Sequence, residues 1–417
     1  VSGQQDVPSP FAGLAATTVD AIARGMSRLA GTAVGRYQTA VVRIGFSLTW
    51  LLYLLREWPY RQEIYGPDGV WSWDMAHQLI ADNHAFSVLM WTRSGLWFEL
   101  VYAAAILASL MLLLGWRTRT ASLLFMIGVL SLQNRSVFIG DGGDNVIHLM
   151  AIYLVLTRCG QVWSLDSRRR ARSTEEDPHD RAGVLLWSVL GAALLQVTGL
   201  GLLSWGWAVV FWGFWLCQAA WWAVRRYAPG EPRTVMDIFA NLAHNAALLV
   251  IIVEVCLIYA TAGWYKIQGS RWQDGTALYY PLHLDDFTPW PALSHAMASS
   301  GLMVMAIGYG TVIVQVAFPF TLFNRRLKNV LLAVMMIEHA SIAIVLGLPF
   351  FSLAMITADA VFLPTGFLMW AGDRLVRLVR RRRRQEPTDE PTAEPTEEPA
   401  AELPGQGSEP APSNLML

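Results

Sequence analysis

Apolar stretches recur along nearly the whole chain, near residues 40–55, 96–115, 120–139, 144–157, 184–203, 206–224, 238–263, 301–322, 329–348 and 351–371. A run of about 20 apolar residues crosses the ~30 Å hydrocarbon core of a bilayer, and most of these stretches are that long. The fourth is short, and only Ser204 and Trp205 divide the fifth from the sixth. Lipid offers the backbone no hydrogen-bond partners, so repeated crossings require helices. The weak two-residue alternation of a membrane barrel is absent. The spacing predicts an all-α integral membrane protein, a polytopic helical bundle of about ten transmembrane helices with interfacial outer loops. Composition points the same way: the 417 residues are 54% hydrophobic, 15% charged and include 19 Trp, with a mean hydropathy of +0.36. That excludes an ordinary soluble enzyme built on one buried core. Cys159, Cys217 and Cys256 form no close-spaced pair and read as small core hydrophobes.

A formal net charge of -1 hides an uneven distribution. The end of the chain, 385–417, holds eight acids and no Lys or Arg in a repeating Pro-Thr-acid pattern, which predicts a disordered tail. Placing the N-terminus in the cytoplasm puts 24 of the 31 basic residues on that side, including the Arg374–Arg384 run. This is the positive-inside pattern, and it predicts a cytoplasmic membrane protein with both termini cytoplasmic. Two Trp-rich segments, Arg56–Gly95 and Gly263–Ser300, then lie outside as interfacial caps. Residues 1–36 contain no continuous apolar core of a secretory signal, while Phe11–Leu29 interleaves apolar residues with Asp20, Arg24 and Arg28, as in a surface helix. The resulting segments are an interfacial helix (1–35), a transmembrane domain (36–371), a basic juxtamembrane segment (372–384) and the acidic tail (385–417). The lipid bilayer is the expected partner, and no nucleic acid is.

Chemistry is expected where ionisable residues stand at membrane depth, because a charge there needs a partner or a task. Asp144 and Asn145 follow a Gly-rich turn at a predicted helix N-terminus, with His148 one turn beyond Asp144. They bind a ligand, or Asp144 caps the helix and the glycines merely turn the chain. At about 100° per residue, Asp237, Asn241, His244, Tyr259 and Lys266 share a stripe roughly 60° wide if one helix carries them all. Such a helix would be about 45 Å long over that stretch, which predicts either a break or an extension beyond lipid. Lys266 is then a snorkelling anchor or a neutral amine acting as a base. Glu338 and His339 lie at a depth similar to that of Asp359 on an antiparallel helix, so that a carboxylate would orient the imidazole or the group would only fix helix packing. His283, Asp285 and Asp286 match no metal-ligand spacing and read as loop residues; no metal is expected.

Gly142-Gly143-Asp144-Asn145, then Trp163-Ser164-Leu165-Asp166, then Ala262-Gly263-Trp264-Tyr265-Lys266 with Trp272-Gln273-Asp274-Gly275, resemble in order and spacing the horizontally transferred transmembrane (HTTM) domain of the vitamin K-dependent gamma-carboxylase superfamily. Tyr65-Gly66-Pro67-Asp68-Gly69-Val70 and His339 before Gly347 resemble further landmarks, and the likeness covers residues 36–371. The resemblance implies an enzyme that oxygenates a reduced quinone, vitamin K hydroquinone or menaquinol, to make a strong base. It puts Lys266 in place of the quinol-deprotonating lysine and His339 in place of an intramembrane histidine, with Glu338 and Asp144 orienting or shuttling protons. Asn145, His148, Tyr259, Trp272 and Asp274 would then line the cofactor site. Those carboxylases carry a large extracytoplasmic C-terminal domain where this chain has basic and acidic segments, so a secreted peptide substrate would be captured by a partner subunit. The same domain occurs in bacterial proteins such as the maturation factor of the sporulation-delaying toxin. This keeps open a non-catalytic partner in maturation, export or immunity of a secreted peptide and, third, a transporter.

Overall fold

The computed structural model describes residues 10–172 and 181–385, with side chains for 19–172 and 181–378. The expected disordered tail beyond Gln385 lies outside the described residues, as do residues 1–9 and 173–180. Among the described residues the chain is helical, with no strand. Helix α1 (Pro10–Gly31) precedes α2 (Arg36–Glu57), and a first cap holding α3 (Arg61–Tyr65) and α4 (Trp73–Asp82) leads to α5 (Gly95–Leu114) and α6 (Thr118–Arg135). Helices α7 (Gly142–Leu156) and α8 (Leu165–Arg172) follow, then α9 (Arg181–Gly199), α10 (Trp205–Tyr227) and the long α11 (Glu231–Gln268). A second cap, from α12 (Ser270–Gln273) to α13 (Pro291–Ala298), leads to α14 (Gly301–Ala317), α15 (Arg325–Val345), α16 (Pro349–Asp359) and α17 (Thr365–Gln385). The chain divides into two compact units, residues 1–369 and 370–417, and the bundle described next belongs to the first.

Seven helices are long and apolar enough to cross a membrane, or eight if Pro349–Phe362 and Thr365–Leu378 form one broken span. The ten apolar stretches all fall on helices, but three of those helices miss that standard. Helix α7 has 15 residues and α16 has 11. Helix α6 carries Arg119 and ends at the buried Arg135. Pro349 starts α16 at a position where the missing N–H is harmless, and Pro364 disfavours a helical residue before it, which ends the run.

The core gathers around α2, α5, α6, α7, α11 and α16, where Phe46, Trp50, Leu54, Tyr102, Phe125, Leu132, Met150 and Ile251 are buried. Small residues let these helices approach closely, the contact that holds helices together when no water is excluded. A Cβ on Gly45 would collide with the Thr357 side chain, and one on Gly143 would meet the Phe351 backbone Cα at 2.7 Å. Buried cations stitch the helix ends. The Arg43 guanidinium donates to the carbonyls of Leu112 (2.5 Å), Leu113 (2.9 Å) and Trp163 (2.7 Å), satisfying the C-terminus of α5. Asp166 accepts from Arg117 N (3.0 Å), Thr118 N (2.8 Å) and Thr118 Oγ1 (2.6 Å), so it caps the N-terminus of α6 from a distant segment. Arg135 Nη2 donates to the Gly66 carbonyl at 2.6 Å and thereby pins the Tyr65–Val70 loop.

Helices α9 and α10 are mostly open and join this core along one edge, where Phe211 and Trp207 pack on Phe86 and Leu194 lies against the same cluster. They hold each other. Trp187 and Trp215 stack at 4.0 Å, the Trp187 indole N–H donates to the Trp215 carbonyl (3.2 Å), and the Trp215 indole returns the bond to the Trp187 carbonyl (3.1 Å).

Candidate functional site

Helix α11 is continuous over 38 residues, about 57 Å at the usual rise. The helix is therefore unbroken along the whole stripe. Its predicted polar stripe divides into two parts with different partners. In the first, Arg158 donates to Asn241 Oδ1 (2.6 Å) and Asp237 Oδ1 (2.9 Å), while Arg158 N–H donates to His244 Nδ1 (2.8 Å). His244 Nε2–H then donates to the Val34 carbonyl (2.7 Å), and Asn241 Nδ2 donates to the Ala30 carbonyl (3.0 Å). Every partner is a backbone group or a structural cation, so Asp237, Asn241 and His244 fasten the α1–α2 connection and the end of α7 to α11.

The second part is where chemistry can occur. Lys266, half-buried in the last turn of α11, donates to Gln315 Oε1 of α14 at 2.7 Å. Gln315 Nε2 donates in turn to Glu338 Oε1 of α15 at 2.8 Å, and Thr311 also hydrogen-bonds the Glu338 carboxylate. The ammonium lies 5.3 Å from the centre of the Trp272 ring, within cation–π range. Gly263 permits this assembly: its Cβ would come within 2.5 Å of Val316 Cγ2, so α11 and α14 meet closely one turn below Lys266. Among the described residues Lys266 forms no ion pair, and a neutral amide separates it from Glu338.

One residue along α15, His339 belongs to a different set. Tyr259 Oη lies 2.8 Å from Asp359 Oδ1 and 3.0 Å from His339 Nε2. The single phenol proton goes to the carboxylate, so His339 must donate its Nε2–H to the phenol oxygen. The tyrosine thus stands between the two groups, where a direct carboxylate–imidazole pair was expected. All three side chains are buried, among Phe318, Phe351 and Phe362. His339 Nδ1 and Asp359 Oδ2 have no hydrogen-bond partner. Two acceptors are therefore buried and unused, at a depth where an unmade hydrogen bond costs about 1–3 kcal/mol.

The other predicted residues sit elsewhere. Asp141 caps α7, accepting from Gly143 N (2.7 Å) and Asp144 N (3.1 Å), and Asp144 returns the bond from Asp141 N (2.9 Å), completing a capping box. No hydrogen bond of Asp144 reaches Lys266, Glu338 or His339. Gly143 serves close approach to Phe351 and lies within the helix, so it does not turn the chain. Asn145 is exposed, and His148 Nδ1 faces Gln133 Oε1 at 2.9 Å. Asp274 is exposed at the surface of the cap, where the Thr276 hydroxyl and N–H hold its carboxyl below the usual range, with Arg271 adding to this. Trp272 alone of that loop pair touches Lys266. Among the described residues no group of three metal ligands converges. Gln315 escaped notice in the sequence because it carries no charge, although a lone amide in the apolar Gly301–Ala317 run was the available signal. No family model, curated protein or solved structure matches the chain.

Proposed function

We propose that the chain is a multi-pass protein of a bacterial cytoplasmic membrane, with both termini cytoplasmic, that uses a reduced quinone and oxygen to modify a secreted peptide or small partner. The observation that carries this reading is Lys266: a lysine at the outer end of a long apolar helix, held by the Gln315 amide under Trp272, with no carboxylate paired to it. Held so, the amine is free to accept a proton from a hydroxyl presented at its open side, and the Trp272 ring stabilises the ammonium that forms. The resemblance to the HTTM domain points to the same lysine.

The partnerless acceptors fit a quinol. A reduced quinone, menaquinol or vitamin K hydroquinone, brings two hydroxyl donors, of which one would meet Lys266 and the other would be accepted by a partnerless atom of the His339–Asp359 set. The reduced quinone would supply, with oxygen, the strong base that the side chains lack. Tyr259 fixes the His339 tautomer and orients its free nitrogen, and Phe318, Phe351 and Phe362 exclude water. Glu338 holds Gln315, and so positions Lys266 from behind. In this reading Asp144, Asn145, His148 and Asp274 shape the surrounding helix ends and cap.

The test is oxygen consumption and quinone epoxide formation by the full chain in lipid nanodiscs with reduced menaquinone, beside Lys266→Met. Lysine-dependent turnover with a melting temperature near that of the parent is the expected result. Turnover that survives Lys266→Met rejects the base. Absence of turnover in the folded parent favours a second reading, a non-catalytic membrane partner in maturation, export or immunity of a secreted peptide. The little-buried α9–α10 hairpin supports that reading as a face for another subunit.

A further inference from the structure

The last described helix, α17, changes character along its length. It begins as TGFLMW and ends as RLVRLVRRRRRQ, and the second compact unit starts within it at Trp370. At about 100° per residue, Ala371, Leu375 and Leu378 share an arc of about 60°, Asp373 and Arg377 lie across the helix from it, and Arg374 flanks it. Both sides are open: Leu375 is 64% exposed and Leu378 51%, and Arg374 and Arg377 are exposed too. The Arg374 guanidinium sits 5.6 Å from the centre of the Trp370 ring. Five more arginines follow in sequence, Arg380 to Arg384, so residues 370–385 hold seven arginines and a single acid, Asp373.

In water exposed leucines keep apolar surface hydrated, and seven arginines in one short segment repel one another. At a bilayer surface both sides are satisfied together, the leucines entering the acyl boundary and the guanidinium groups meeting phosphates as bidentate donors. Clusters of four to eight basic residues just inside a last span are attracted to anionic leaflets in the same way. We infer that the part of α17 from Trp370 onward is an interfacial helix that takes the headgroups of anionic phospholipids. This rests on the reading of the chain as a membrane protein with its C-terminal side cytoplasmic. The acidic segment that follows, with eight carboxylates in 385–417, is the other candidate occupant and is separated from lipid by experiment.

The experiment compares backbone hydrogen exchange over 370–385 in the full chain reconstituted in phosphatidylcholine discs and in discs containing phosphatidylglycerol. Exchange is expected to slow about tenfold in the anionic discs, and to recover at about 0.5 M salt, where the Debye length falls to a few ångström. Replacing Arg374, Arg377, Arg380 and Arg381 by Gln abolishes the difference, while the same four changed to Lys retain most of it. Equal exchange in both discs overturns the proposal. Protection in both discs that vanishes when the chain is cut after Gln385 also overturns it and gives the helix to the acidic segment. A chain that enters neither disc removes the membrane reading and this inference together, whereas incorporation without lipid dependence removes this inference alone.

Discussion

Tyr259 has one proton to give and two neighbours to satisfy. Its hydroxyl is the link between His339 on α15 and Asp359 on α16, so its removal leaves a buried imidazole N–H and a carboxylate oxygen without partners. Tyr259→Phe, which keeps the ring against Phe318, is therefore expected to cost about 1–3 kcal/mol, read as a lowered melting temperature in nanodiscs. An unchanged melting temperature would mean that water or another side chain takes the phenol's place. Lys266, Tyr259, Glu338, His339 and Asp359 were all legible in the sequence, because each is a polar side chain in an apolar run. Their partners were not. Helical spacing says which residues share a face, but the neighbour across that face belongs to another helix, so the spacing that joined Lys266 to Asp237 and His244 could not reveal Gln315 or the division of the stripe.

At the scale of elements, the site depends on how closely α11 and α14 approach. Gly263→Val puts carbon where Val316 Cγ2 now lies 2.5 Å from an added Cβ, and the helices must part. The expected result is a loss of about 1–3 kcal/mol together with loss of Lys266-dependent turnover, and a variant with full turnover would show that the Lys266–Gln315 bond is dispensable. The cap that holds α12 carries a pH response of its own. Because Thr276 and Arg271 depress the folded-state pKa of Asp274, its contribution is present above the ordinary aspartate range and is lost as pH falls through the depressed value. Protection of the Thr276 amide, corrected for intrinsic exchange, should fall with acidification in the parent and stay flat in Asp274→Asn. Equal behaviour of the two would assign the turn to backbone geometry alone.

For the whole molecule, the order of helices followed from apolar runs, but the number able to cross did not. Helices α7 and α16 are short because each packs against the other and against α2, so that protein covers much of them and a full bilayer length is unnecessary. A hydropathy run cannot distinguish that shelter from lipid. Sidedness is testable directly. In a background lacking Cys217, Ser270→Cys is expected to react with an impermeant thiol reagent added to intact cells and Pro229→Cys is not; the reverse pattern would invert the topology.

The clasp between Trp187 and Trp215 has a consequence for how α9 and α10 can change over time. Each indole seizes a carbonyl, a group that every residue provides, and each helix is buried at a single residue. Outward positions such as Leu185, Leu195 and Leu216, each more than half exposed, are open to apolar substitution at little energetic cost, unlike Trp207 and Phe211, which pack on the core. Related chains can therefore vary the surface of this hairpin, and with it whatever the hairpin meets, while leaving the Lys266 and His339 neighbourhoods untouched.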